Sequence, residues 1–191
     1  MRTLVVYYSR KGSNRFLAHK VAGGLSADIE RIRPWINVFL LFLLKIHLGI
    51  RPIRHKAESY DKVILVGPIW MGRLIPPLRS FLNKYKERIR ELVFVTCCGS
   101  TDARKDEKFG HGFVFREVEH IMGDKCTHCR AFPIDLVLPE EKKGDDQAFM
   151  QTHLMDENFR GEIQDRLEDL IDKIRTQKPG RYQVLNDKSG V

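Results

Sequence analysis

The sequence predicts an α/β protein built on a doubly wound parallel sheet. Three short, almost continuously apolar runs, residues 3–8 ("TLVVYY"), 61–66 ("DKVILV") and 92–97 ("LVFVTC"), have the composition of strands buried on both faces. Helical patterns separate them, and parallel neighbours need right-handed crossover helices to connect them. At 191 residues the chain is long enough for one sizeable core. The expectation is a single domain over residues 1–178 and a polar tail over 179–191.

The elements follow in order. Behind the first run, Phe16, Leu17, Val21 and Leu25 fall on one helical face before Gly23 and Gly24 weaken the pattern. Residues 28–33, "DIERIR", alternate apolar and charged side chains as an edge strand does. Residues 75–88 open on Pro76 and Pro77, which a first helical turn tolerates. A further strand is expected over 129–137, "CRAFPIDLV", and a solvated charged loop over 139–147, "PEEKKGDDQ". In the last helix Phe159, Ile163, Leu167, Leu170, Ile171 and Ile174 form one apolar stripe behind an Asp156 cap, and "KPG" at 178–180 ends it.

Residues 35–50, "WINVFLLFLLKIHLGI", carry twelve apolar residues in sixteen. The run is shorter than the roughly 20 residues of a membrane span, and Asn37, Lys45 and His47 interrupt it. It stands where a second crossover helix belongs, so burial against the sheet or in a homodimer contact is the leading expectation. Arg31, Arg33, Arg51 and Arg54 flank it, which also suits peripheral contact with an anionic membrane.

Composition narrows the class. With 42% hydrophobic and 30% charged residues and no low-complexity tract, the chain reads as globular. Met1 is not followed by a basic segment and an apolar core of a secretory leader, so a cytoplasmic protein is expected. A formal charge of +8 favours acidic partners, but the basic residues are scattered without an aromatic-interleaved surface, which disfavours nucleic acid. Cys97, Cys98, Cys126 and Cys129 are read as free thiols. "CTHC" at 126–129 is one C-x-x-C with no second pair, placed near the amino edge of the sheet, so no metal is assigned to it.

The stretch "YYSRKGSNR", residues 7–15, joins the first strand directly to the first helix. Ligands of open parallel sheets sit outside the carboxyl ends of the strands, and a helix N-terminus offers free N–H groups to an anion. Ser9, Ser13 and Asn14 add short donors and Gly12 permits close approach, so the loop is suited to a phosphate. Simple capping of the helix by Ser13 or Asn14, with Gly12 making the turn, is the alternative reading. Neither a P-loop nor a dinucleotide fingerprint is present; "GHGFVF" at 110–115 has Phe115 where the third glycine would fall. Two more loops, "GPIWMG" (67–72) and "CGSTDAR" (98–104), follow apolar strands and belong on the same rim.

Together, in this order and strand context, the three loops make the chain resemble the flavodoxin-like family from residue 3 to about 175. The resemblance implies a five-stranded parallel sheet of order 2-1-3-4-5 with helices on both faces, and FMN held between the loops. Ser9, Gly12, Ser13 and Asn14 match the family's phosphate loop, with Lys11 in place of the usual Thr and able to pair with the phosphate. Pro68, Ile69, Trp70, Met71 and Gly72 correspond to the second loop, in which an aromatic side chain stacks on the isoalloxazine, and Trp70 is that residue here. Thr96, Cys97, Cys98 and Gly99 correspond to the third, which meets the pyrimidine end of the flavin. The implied function is electron transfer through noncovalent FMN, with an acidic redox protein or a small-molecule acceptor as partner and no catalytic acid, base or nucleophile assigned. An FMN-dependent NAD(P)H or quinone reductase, and a cofactor-free basic interaction module on the same scaffold, are the alternatives.

Overall fold

The computed structural model describes residues 1–44, 49–143 and 145–176. Residues 45–48 of the apolar run, "KPG" and the expected polar tail lie outside the described residues.

Five strands form the parallel sheet: β1 (Thr3–Tyr7), β2 (Asp28–Arg31), β3 (Lys62–Val66), β6 (Leu92–Cys98) and β7 (Cys126–Pro133). Their order is β2-β1-β3-β6-β7, which is 2-1-3-4-5 once the short antiparallel hairpin β4 (Ile69–Trp70) and β5 (Arg73–Leu74) is set aside. The alternating "DIER" segment is the edge strand, as its pattern requires. The three continuous apolar runs are central strands because each must bury both faces.

Strand periodicity sorts the core into two layers. Leu4, Val6, Val63, Leu65, Leu92 and Phe94 meet α3 (Pro76–Tyr85) and α4 (His111–Met122) on one face. Val5, Tyr7, Ile64, Val66, Val93 and Val95 meet α1 (Ser13–Leu25) and α6 (Glu162–Thr176) on the other. Helix α1 runs through its two glycines because Gly24 lies against Ile171 of α6, where a Cβ would come within 2.3 Å of the isoleucine side chain.

Four expectations are corrected. The last strand spans 126–133 rather than 129–137, and Ile134–Val137 turn into a 3₁₀ helix after Pro133. Asp156 does not cap the final helix; it pairs with Lys20 at 2.7 Å, and the helix begins at Glu162 after Gly161, whose φ of 66° marks the turn. The helix expected over 75–88 ends at Tyr85. Among the described residues, the apolar run forms only the seven-residue α2 (Val38–Leu44), with Val38 buried and Phe42 half-buried against the core, while Trp35, Ile36, Phe39, Leu40, Leu43 and Leu44 remain exposed. No described helix is long and apolar enough to cross a membrane.

Helix α4 has no counterpart in the sequence reading. Val114, Val118 and Met122 are its buried stripe, but exposed Phe113 and half-buried Phe115 blur that periodicity.

Candidate functional site

Strands β1, β3 and β6 deliver their following loops to one rim, where they surround a cleft of about 330 Å³. Ser9, Lys11, Ser13 and Asn14 line it from the first loop, Pro68, Ile69 and Trp70 from the second, and Cys97, Cys98 and Gly99 from the third. Gly12 lies instead on an adjoining basic recess shared with Tyr7, Arg10, Lys11, Arg15 and Arg31. Met71, Gly72 and Thr96 do not line the cleft. Met71 is 65% exposed at a φ of 50°, and Thr96 is fully buried. Gly72 has a φ of 66° and packs so closely on the chain at Lys108 and Phe109 that a Cβ would stand 2.9 Å from backbone atoms of both. Its place in the fold is to seat the hairpin on the 101–109 loop.

The first loop is built around its own hydrogen bonds. The Gly12 N–H donates to Ser9 Oγ at 3.1 Å, and Gly12 takes a φ of 113°, a conformation that side-chain-bearing residues rarely adopt. Ser13 Oγ accepts from the Leu154 N–H at 3.2 Å. A hydroxyl that accepts from the backbone retains its own proton as a donor, and that of Ser13 also has the Cys97 thiol beside it. The first-turn N–H groups of α1 at Ser13, Asn14 and Arg15 have no intrahelical acceptor and carry the positive end of the helix dipole.

Asn14 does something else. Its amide is buried, donates through Nδ2 to the Cys97 carbonyl at 3.0 Å and accepts through Oδ1 from the Cys97 N–H at 2.8 Å. Both ends of the side chain are engaged in tying the first loop to the third. Neither helix capping nor direct anion contact describes it.

The second wall is aromatic. Trp70 is half-buried, meets Phe42 edge-on with centroids 5.4 Å apart, and lies under the Arg10 guanidinium at 5.7 Å, which is equally close to Phe39. The third wall is neutral. Burial raises the Cys97 thiol and pushes Cys98 up to about 12, so both stay protonated at neutral pH and act as packing groups rather than nucleophiles.

Several lining residues were not legible in the sequence: Phe39 and Phe42 from α2, Ile134, and Phe149, Met150, Thr152 and His153 from the segment containing α5 (Asp146–Gln151). That segment, capped by Asp145 accepting from the Gln147 and Ala148 N–H groups, crosses the mouth of the cleft. Lys11 Nζ donates to the Met150 carbonyl at 3.2 Å, and the Phe149 ring occupies the space a Cβ on Gly99 would need. In the charged stretch expected over 139–147, residues 139–143 are exposed as a solvated loop requires, and the contacts with the cleft come from the chain just beyond it.

Behind the third loop a second lock forms. The His111 N–H donates to Ser100 Oγ at 3.0 Å, and that hydroxyl can donate back to the unprotonated Nδ1 at 2.8 Å. His111 is buried, and burial lowers its pKa below the ordinary value, with Asp102 only partly opposing the shift. His128 is lowered for the same first reason. A histidine held neutral in the folded state stabilises it fully above the unfolded pKa of about 6.5 and progressively less as pH falls below that value. Urea midpoints are therefore expected to decline from pH 7 to pH 5, and His111→Gln should show a smaller decline; an identical decline in the variant would remove His111 from the account.

At the opposite edge, Cys126 and Cys129 sit at the amino end of β7 with sulfurs 3.7 Å apart, brought to one side by a bulge between the pairs Leu92–Cys126 and Val93–His128. No group of three or more potential metal ligands occurs among the described residues.

Residues 46–129 match the family model of the flavodoxin domain. No curated protein sequence matches the chain. Among solved structures, a flavoprotein from Lactobacillus acidophilus in complex with FMN aligns with a TM-score of 0.57 at 15% identity, over 68% of this chain and 92% of its own. A flavodoxin from Streptococcus pneumoniae aligns with a TM-score of 0.51 at 12% identity, over 92% of this chain and 98% of its own. At such identities the likeness is one of fold.

Proposed function

We propose that this chain, flavodoxin-like in fold, binds FMN without a covalent bond and serves as an electron carrier. The observation that supports this most is the convergence of three loops on one cleft, with hydroxyls and free N–H groups at one end and an aromatic wall at the other. Its volume falls within the roughly 300–1,000 Å³ of small-ligand sites.

The residues suit the group. Ser9, Ser13, Lys11 and the first turn of α1 would hold the phosphate, and the adjoining recess adds Arg10, Arg15 and Arg31 to the local positive field. Trp70 would stack on the ring system, taking the place beside its face that Arg10 has in this structure. Phe149 and Phe39 would exclude water from the edges. FMN, when bound, supplies the one- and two-electron redox chemistry, and the chain supplies binding, orientation and field.

A purified preparation should be yellow with flavin absorption bands after reconstitution with FMN and desalting, and NADH or NADPH should not reduce it rapidly in stopped-flow mixing. Rapid direct reduction by either nucleotide would contradict the carrier reading and favour a reductase. Trp70→Ala is expected to weaken FMN binding by about 1–3 kcal/mol, the value of an aromatic stacking face. Unchanged affinity with an unchanged flavin spectrum would show that Trp70 is not the platform.

A further inference from the structure

Helix α2 is anchored by Val38, which is 5% exposed, and by half-buried Phe42, four residues apart on one face. The opposite face is turned outward: Phe39, Leu40, Leu43 and Leu44 are 47–66% exposed, and the preceding Trp35 is 60% exposed. Apolar side chains grouped so densely on a surface mark a contact.

The charge along this stretch of the chain is one-sided, with Glu30 just before it accepting from the Arg54 and His55 N–H groups at 2.7 and 2.9 Å. Residues 31–56 hold Arg31, Arg33, Lys45, Arg51, Arg54 and Lys56 and no aspartate or glutamate. The structure gathers part of this charge beside the patch: the Arg51 N–H donates to the Arg33 carbonyl at 2.9 Å across the Pro34–Ile50 bridge, and the Arg51 guanidinium lies 5.0 Å from the Trp35 ring. Arg10 lies 5.7 Å from the Phe39 ring.

A second copy of the chain is a poor occupant, because a two-fold contact would bring the same cations onto the same patch. An acidic protein would answer the charge but would also need a groove shaped to these leucines. A bilayer needs no such groove: it accepts apolar side chains at the boundary between headgroups and acyl chains while lipid phosphates meet the flanking cations. We propose that α2 and its flanks dock the protein on an anionic lipid surface, with Trp35, Leu40, Leu43 and Leu44 entering the boundary and Arg33, Arg51 and Arg54 on the phosphates. This docking does not depend on which ligand the cleft holds.

Flotation of the full chain with phosphatidylcholine vesicles, with and without phosphatidylglycerol, tests it. Binding is expected to the anionic vesicles and to fall at least about tenfold on neutral vesicles or when high salt screens the cations. The double variant Leu43→Ser, Leu44→Ser changes only exposed side chains and should keep its circular dichroism and urea midpoint while losing at least about tenfold in vesicle affinity. Absence of the chain from anionic vesicles, or equal flotation of the folded double variant, overturns the proposal. So does a concentration-dependent dimer in sedimentation that the double variant abolishes while vesicle binding is absent, since the patch would then belong to a second copy.

Discussion

Asn14→Leu is expected to destabilise the protein by about 2–5 kcal/mol, because it leaves both the N–H and the carbonyl of Cys97 unpaired in a buried position, at about 1–3 kcal/mol for each orphaned group. Leucine keeps the branching and heavy-atom count of asparagine and opens no cavity, so the loss measures chiefly hydrogen bonding. The effect should also reach the cleft, since the amide joins two of its three walls. Asn14→Asp separates the parts: it retains the acceptor for the Cys97 N–H but faces the Cys97 carbonyl with oxygen, so it should fall between wild type and the leucine variant. Denaturant midpoints for the three proteins decide this. If Asn14→Leu has wild-type stability, the clamp is not a structural element.

Gly12→Val is expected to weaken FMN binding roughly a hundredfold, about 2.7 kcal/mol, while changing riboflavin binding far less. The structure adds a physical reason to the one the sequence suggests. The sequence points to bulk next to a close-approaching phosphate; within the protein itself a Cβ at this position meets nothing within 4 Å. A further constraint lies in the backbone, where a φ of 113° would strain any residue with a side chain by about 1–3 kcal/mol. Relief of that strain would rebuild the loop, break the bond from the Gly12 N–H to Ser9 Oγ and misplace the donors around it. Gly12→Ala should therefore lose nearly as much FMN affinity as Gly12→Val. A mild alanine and a severe valine would instead indicate that side-chain bulk against the ligand is the cause.

What the sequence made legible follows from how far each signal reaches along the chain. The central strands announced themselves because burial on both faces leaves only apolar residues, and that signal is local. The three rim loops were legible because each follows such a strand directly. The clamp of Asn14 was not, since its partner is 83 residues away and an asparagine at a helix start has a ready local explanation as a cap. The wall from Phe149 to His153 was hidden in the same way: a six-residue helix after a charged stretch carries no periodicity long enough to read, and only the fold brings it across the first loop. Helix α2 is the reverse case. Its apolar run was plain in the sequence, but a seven-residue helix can turn only one face to the core, and the remaining face stays outside.

The central claim is that the cleft recognises FMN, with the first loop selecting its phosphate and Trp70 its ring system. Calorimetric titration of the full chain, freed of any co-purified flavin, with FMN and with riboflavin tests it most directly. The account predicts saturable one-to-one binding of FMN, at least about tenfold tighter than riboflavin, a margin of about 1.4 kcal/mol that narrows as salt screens the cations of the first loop. A folded protein that binds neither flavin, or binds both with the same affinity at every salt concentration, would contradict it.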